Sequence, residues 1–179
     1  LMNPPYEKKY GCMDIVENVL DSVPPHTSCA FILPDKKLEK TGKKQMARIF
    51  EHHRLRKVVK LPEDLFFGIG MTTSIFVFET GVPQSGHEFF TCWMKDDGLE
   101  TVKNKGRHDV HDRWPEIERY WIDVVSKQSG DDTCQAVSQH RAVKSRIFYE
   151  ILARHLVDCV HIAYMFDHRS NRHRNHKNN

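Results

Sequence analysis

"RKVVKLPEDLFFGIGMTTSIFVFE" (residues 56–79) holds two runs of strand-forming residues around a ten-residue stretch, "PEDLFFGIGM". Val58 and Val59 in the first run, and Ile75, Phe76, Val77 and Phe78 in the second, are side chains that suit a pleated, half-buried surface. Pro62 stops the first run, because proline has no N–H to give to a ladder. Parallel neighbours need a crossover of a dozen or more residues, usually a helix. Ten residues are too few, so the two strands are expected to pair antiparallel.

Working upstream, "TSCAFILP" (27–34) is a short apolar run closed by Pro34 and reads as another strand. Between it and Arg56, "TGKKQMARIFEHHRL" (41–55) has helical spacing, with Thr41 as the expected N-cap and Met46, Ile49 and Phe50 facing inward. "CMDIVENVLDSV" (12–23) places Met13, Val16, Val19 and Leu20 on one helical face. Helix, strand, helix, strand, loop, strand is the order of an α/β sheet with parallel pairs and one antiparallel strand. Downstream, "HEFFTCWM-KDDG-LETVK" (87–103) reads as a hairpin turning at Asp97-Gly98. "RWPEIERYWIDVVSKQ" (113–128) reads as an amphipathic helix with Ile117, Trp121 and Val124 inward. After "SGDD", a last helical pattern runs through Val143, Ile147, Ile151, Leu156 and Val160. No internal repeat is present.

The 179 residues are 39% hydrophobic and 28% charged, which supports a buried core and argues against disorder. No apolar run approaches the roughly 20 residues that span a bilayer, and no charged-then-apolar leader opens the chain. The five cysteines, Cys12, Cys29, Cys92, Cys134 and Cys159, are odd in number and form no C-x-x-C pair. Free thiols in a reducing cytoplasm are therefore expected. Net charge is only +3, but residues 35–60 carry ten Lys or Arg against three acids. The final "HRSNRHRNHKNN" adds four Lys/Arg and no acid. Such a stripe and tail would suit a polyanion; on charge alone the plainer reading is a solvated helix face and a frayed terminus.

The chemistry concentrates in "NPPY", Asn3-Pro4-Pro5-Tyr6. An exocyclic amino group that attacks an electrophilic methyl is a poor nucleophile, since its lone pair is delocalised into the ring. Two carbonyl acceptors on its N–H bonds draw the nitrogen toward tetrahedral geometry and aim the lone pair. Asn3 offers a side-chain carbonyl, and Pro4 a backbone carbonyl on a chain stiffened by Pro5. Tyr6 offers a flat face for an extruded base. Fixed acceptors that favour the transition state over the planar ground state are a source of rate.

On "NPPY" and on "FILPDKKLEKTGKKQMARIFEHHRLRKVVKLPEDLFFGIGMTTSIFVFE" (31–79), the sequence resembles the N6-adenine-specific DNA methyltransferases. Within them it is similar to the modification (M) subunits of type I restriction-modification systems. The resemblance covers residues 1–82 and extends through "DDGLETVKNKGRHD" to about residue 125; residues 131–179 stand outside it. It implies an enzyme that transfers methyl from S-adenosyl-L-methionine to the amino group of a flipped adenine in double-stranded DNA, with specificity and restriction subunits as partners. The fold it implies is the second half of a Rossmann-like S-adenosylmethionine-dependent methyltransferase sheet, with a mixed hairpin and helical C-terminal extension. The corresponding divisions are 1–82 for the catalytic half, 83–130 for a hairpin plus helix, and 131–179 for a helical segment with a basic tail. Asn3 and Pro4 would then bind the adenine amino group and Tyr6 would stack on the base. Phe66 or Phe67 would close its other side; plain core packing is the other reading of those two.

"FFGIG" (Phe66–Gly70) also satisfies the F-x-G-x-G pattern of a cofactor loop. Such a loop should follow a buried strand directly and open a helix; here "PED" precedes it and a strand follows. The cofactor motif is therefore expected upstream of residue 1, with the strand that carries "NPPY". A piece of this kind is expected to be inactive alone, and its uncovered sheet edge to favour self-association. Lys36, Lys37, Lys43 and Lys44, with Lys103, Lys105 and Arg107 in "KNKGR", are the candidates for DNA phosphates. "HDVHD" (108–112) reads as solvated polar residues, and no metal site is expected. The contrasting reading is a non-enzymatic nucleic-acid-binding or subunit-assembly module that uses the basic 35–60 stripe.

Overall fold

β3 (Thr73–Thr80), the second strand of the 56–79 stretch, lies at the heart of the main sheet in the computed structural model, which describes residues 1–63, 65–66, 70–131 and 133–138. It pairs antiparallel with β1 (Ser28–Pro34) on one side and with β2 (His53–Lys60) on the other. β2 in turn pairs parallel with β4 (Glu88–Trp93), and β4 pairs antiparallel with β7 (Gln135–Ser138). The order is β1-β3-β2-β4-β7. The sheet is thus mixed α/β and mostly antiparallel.

The expected β2/β3 pairing is present. β1 and β2, however, are not neighbours as the alternation suggested: β3 inserts between them, so both run the same way without sharing a ladder. The expected hairpin at Asp97-Gly98 is absent. β4 stays in the main sheet, and β5 (Glu100–Val102) pairs instead with β6 (Gly106–His108) around "KNK". The reason is local. Asp96 accepts from the Gly98 N–H at 2.7 Å and Asp97 from the Leu99 N–H at 3.0 Å, so both side chains fold the chain out of the β4 line instead of reversing it. Thr41 does not cap the helix. It ends a short turn, α2 (Lys37–Lys40), and its hydroxyl donates to the Lys37 carbonyl. α3 (Lys43–His52) begins at Gly42 without a side-chain cap. The last helical pattern, Val143 to Val160, and the basic tail lie outside the described residues.

Strand alternation divides the core into two. Phe31 and Leu33 of β1, Leu55 and Val58 of β2, and Phe76 and Phe78 of β3 share one face by register and are all buried. α1 (Cys12–Ser22) buries Cys12, Met13, Val16 and Leu20, and α3 buries Ile49. Each buried Val, Leu, Ile, Phe or Met among them contributes about 1.5–3 kcal/mol by leaving water. The two helices are tied by Arg48 and Gln45 of α3, which donate to Glu17 at 2.8 Å each; the Arg48 hydrogen bond holds the Glu17 carboxyl below its ordinary range. On the opposite face Val59, Phe90 and Cys92 pack with Trp121 and Val124 of α4 (Trp114–Lys127). Asp109 caps α4, accepting from the Arg113 and Trp114 N–H groups at 2.8 Å each.

One irregularity is filled by a side chain. β2 carries a bulge between Leu55 and Lys57. There the buried Gln84 accepts from the Leu55 N–H at 2.5 Å and donates to the His87 carbonyl at 3.1 Å. At the far end of β3, Gly81 turns with φ 70°, and a side chain there would strike Pro25 at 2.7 Å.

Two predictions follow from this packing. Gln84→Leu leaves the Leu55 N–H buried without an acceptor and should cost about 1–3 kcal/mol in urea unfolding. Glu79 is held below its ordinary value of 4.5 by the His26 hydrogen bond, then by Arg54 and Arg56. Its contribution to stability is complete above pH 4.5 and is lost as pH falls through the lower folded value. Glu79→Gln should therefore flatten the dependence of stability on pH below 4.5, seen in unfolding midpoints taken across acid pH.

Candidate functional site

Backbone hydrogen bonds seat the "NPPY" segment. The Met2 N–H donates to Ala30 O at 2.8 Å and the Ile32 N–H to Met2 O at 2.9 Å, forming a parallel bridge opposite Phe31. Met2 thus extends the sheet beyond β1, and the chain leaves it at Asn3 in the direction in which β1 runs. The two prolines end the ladder. Pro4 is buried, while Asn3 and Pro5 are exposed. A 3-10 turn, Lys8–Tyr10, then leads to Gly11. Gly11 opens α1 at φ 56°, where a Cβ would run into the Asp14 carboxylate.

Tyr6 is half-buried, and its hydroxyl faces two oxygens: Asn3 Oδ1 at 2.5 Å and Ile32 O at 3.0 Å. The phenol has one proton to share between them. Burial, and then the Cys12 thiol, raises the Tyr6 pKa, so the hydroxyl remains a donor. Asn3 Oδ1 is therefore an exposed carbonyl already held in place by a neighbour.

The loop after β2 opens on the same edge of the sheet. Leu33, Ser74, Lys60 and Trp93 stand in one row across β1, β3, β2 and β4. The carboxyl ends of β1, β2 and β4 all lie there, the edge where α/β proteins place ligands. Phe66 is half-buried in this loop; Phe67, Gly68 and Ile69 lie outside the described residues. Gly70 leads into β3 and not into a helix, so this connection joins two antiparallel strands. It lacks the strand–glycine–helix cradle that suits a cofactor's anionic groups, and no described residue is assigned to one.

The edge also holds polar residues that the sequence reading passed over. Asp35, 6% exposed, accepts from the Ser74 hydroxyl at 2.8 Å, and its N–H donates to Thr72 O at 3.2 Å. The clue was available: an acid directly after Leu-Pro at the end of a buried strand. Lys60, 7% exposed, lies 4.2 Å above the Trp93 ring, with the Lys95 Nζ at 5.5 Å from the same ring.

The ten cations of the 35–60 stripe do not form one surface. Arg48 pairs with Glu17, and Arg54 and Arg56 with Glu79. Lys57 donates to Val125 O at 2.6 Å, and burial lowers its pKa. Lys36 and Lys37 are half-buried, whereas Lys40, Lys43 and Lys44 are exposed. Lys103 and Lys105 are exposed on the β5–β6 turn. Arg107 points inward, donating to Asp97 at 2.5 Å and to Leu99 O at 3.1 Å. In "HDVHD", His108 meets Lys105 O and His111 meets Glu100. Among the described residues no group of three or more His, Cys, Asp or Glu is placed to hold a metal ion, and no helix is long and apolar enough to cross a membrane.

Comparison with known proteins gives a family and a fold. The model of the family described as N-6 DNA Methylase matches residues 2–146. No curated protein matches the chain. Among solved structures, it is similar to a modification subunit, ascribed to a type I restriction enzyme, from Vibrio vulnificus YJ016. There the TM-score is 0.54 and the identity 14%, over 76% of this chain and 32% of that one. It is also similar to a chain from a structure of type I R-M system assembly and conformational transition, at TM-score 0.55 and 18% identity, over 98% of this chain and 45% of that one. At these identities the likeness is one of fold. The chain spans about a third of the first structure and under half of the second.

Tyr6→Phe tests the local geometry. Losing the hydroxyl while keeping the ring should cost about 0.5–1.5 kcal/mol in urea unfolding, since Asn3 and the Ile32 carbonyl lose a donor.

Proposed function

The chain belongs to the N-6 DNA methylase family, and from that premise we propose that it carries the adenine-binding part of a restriction-modification DNA methyltransferase. The observation that supports this most directly is the placement of Asn3. Its amide oxygen is exposed at the carboxyl edge of the sheet, and the Tyr6 hydroxyl holds it.

In this reading the amino group of a flipped adenine enters beside Asn3. One N–H donates to Asn3 Oδ1 and the other to the Pro4 carbonyl. The Tyr6 hydroxyl gives up Asn3 and keeps Ile32 O, already 3.0 Å away, so freeing the acceptor leaves no unpaired buried proton. The Tyr6 ring stacks on the base, and Phe66 or Phe67 covers its other face. The two carbonyls draw electron density along the N–H bonds and localise the nitrogen lone pair as the bond to the incoming methyl forms. S-adenosyl-L-methionine supplies the methyl group by family, and its site is assigned to none of the described residues. The sheet corresponds, in this proposal, to the second half of the family's doubly wound sheet.

Double-stranded DNA is the proposed substrate. Lys43 and Lys44 support phosphate contact: they stand exposed in the first turn of α3, where no acid answers the helix dipole. Lys103 and Lys105 on the β5–β6 turn extend that contact. Specificity and restriction subunits are the proposed protein partners, in line with the type I system of the similar structures. The engagement of Arg48, Arg54, Arg56 and Lys57 in internal ion pairs and hydrogen bonds gives little support to a purely electrostatic binding module.

Asn3→Ala, made in the polypeptide as it is natively expressed, is the decisive variant. Methyl transfer to adenine should fall by at least about 100-fold, while binding of the duplex, followed by fluorescence anisotropy, changes little. Methylation that survives the substitution would falsify the proposed role.

A further inference from the structure

Cys92 and Cys134 follow directly on Thr91 and Gln135, the last pair of the β4–β7 ladder. The register runs from Glu88 opposite Ser138 to Thr91 opposite Gln135, and one more step brings Cys92 opposite Cys134. The hydrogen-bond phase identifies the kind of pair. The Met94 N–H points to Lys60 O of β2, so Cys92, two residues earlier, also directs its N–H away from β7. The Trp93 N–H points the other way, to Thr133 Oγ1 at 3.1 Å. Carried one step past the end of the ladder, this phase gives Cys92 and Cys134 the spacing of a non-hydrogen-bonded pair, in which α-carbons are about 4.5 Å apart and side chains approach most closely. That separation lies inside the range a disulfide spans.

The side chains share a face as well as a register. Cys134 packs against the cluster of Val59, Phe90, Cys92, Trp121 and Val124 under α4. Cys92 is buried, and Cys134 is half-buried with its thiol 3.8 Å from Asp131 Oδ1. From the register, the ladder phase and the common cluster, we infer that Cys92 and Cys134 are a redox site that closes to a disulfide and fastens β7 to β4.

The reagent class is a low-molecular-weight disulfide. Cys134, the more accessible thiol, loses its proton and attacks one sulfur of R–S–S–R. A mixed disulfide forms and one RS⁻ leaves. Cys92 then loses its proton and attacks Cys134 Sγ, expelling the second RS⁻. The two released protons convert both leaving groups to RSH, so the protein loses two electrons and the reagent gains them. Burial, then Cys134 and Asp131, pushes the Cys92 thiol up to about 12, and burial raises Cys134 too. Exchange is therefore slow at neutral pH and accelerates as pH rises. Closure ties off a loop that holds the β5–β6 hairpin and α4.

The test is a peptide map of the intact chain after exposure to oxidised glutathione at alkaline pH, with iodoacetamide blocking the remaining thiols. Trypsin places Cys92 in residues 61–95 and Cys134 in 128–141. These two peptides should appear linked, and dithiothreitol should release them, while residues 10–36, the single peptide that holds both Cys12 and Cys29, carry two blocking groups. The same oxidation in concentrated urea should scatter the links among all five cysteines. The oxidised chain should melt about 5–10 °C above the reduced one, as expected for closing a loop of this length. Finding both peptides blocked and unlinked, or 61–95 joined to another cysteine, would overturn the inference. An unchanged melting midpoint in cross-linked protein would overturn the fastening role. Cys92→Ser adds a check that does not depend on the cross-link, because glutathione should then remain on Cys134; a 128–141 peptide without it would count against the exchange.

Discussion

The antiparallel insertion of β3 between β1 and β2 governs the geometry of this protein. Phe76 and Phe78 are fully buried and stand in register with Phe31 and Cys29 on one side, and with Val58 and Leu55 on the other. One strand thereby joins two that run the same way, and it makes both finish at the same edge. Met2 adds a parallel bridge to β1, so the segment that follows it arrives at that edge too. Asn3, Tyr6, Asp35 and the loop carrying Phe66 fall on one edge of the sheet because of this pairing. Asn3 and Tyr6 are also close in sequence, whereas Asp35 and Phe66 reach that edge only through the strand pairing.

The site is built economically from backbone constraints. Two prolines end the bridge where a ladder donor is no longer needed, and the buried Pro4 fixes where Asn3 leaves the sheet. Tyr6 closes the arrangement from the other side. Its hydroxyl lies between a side-chain and a backbone oxygen, so the Asn3 amide is oriented before any ligand arrives. In the proposed reaction, preorganisation of that kind would cost nothing at the moment of methyl transfer, as is true of fixed dipoles aimed at a developing charge. Behind the site, the buried Asp35–Ser74 pair ties the end of β1 to the start of β3.

Charge shows how far a local count can mislead. The ten cations between residues 35 and 60 look like one basic stripe, yet β2 sends its side chains to alternate faces. Lys57 reaches α4 while Lys60 lies on Trp93, and Arg54 and Arg56 converge on Glu79. The lysines left in water are those at the start of α3 and its approach. In "KNKGR" the same logic separates the exposed Lys103 and Lys105 from Arg107, whose guanidinium braces the Asp97 turn.

Periodicity and punctuation in the sequence determined the individual elements. Val16 and Leu20 marked α1, Trp121 and Val124 marked α4, and Pro34 and Pro62 marked the ends of two strands, because helical spacing, strand alternation and the missing proline N–H all act within a few residues. The chemistry proposed for "NPPY" was suggested by the sequence for the same reason, since it lies in four adjacent residues. Strand order was not. Nothing local to "HEFFTCWM" says that it joins β2 in parallel instead of turning on itself at Asp97-Gly98, and nothing local to "TTSIFVFE" says that it has a partner on both sides. Those choices depend on which apolar faces meet. Only the tertiary structure decided them, and with them the placement of Asn3, Tyr6, Asp35 and Phe66 along one edge, since burial is shared among strands far apart in the chain.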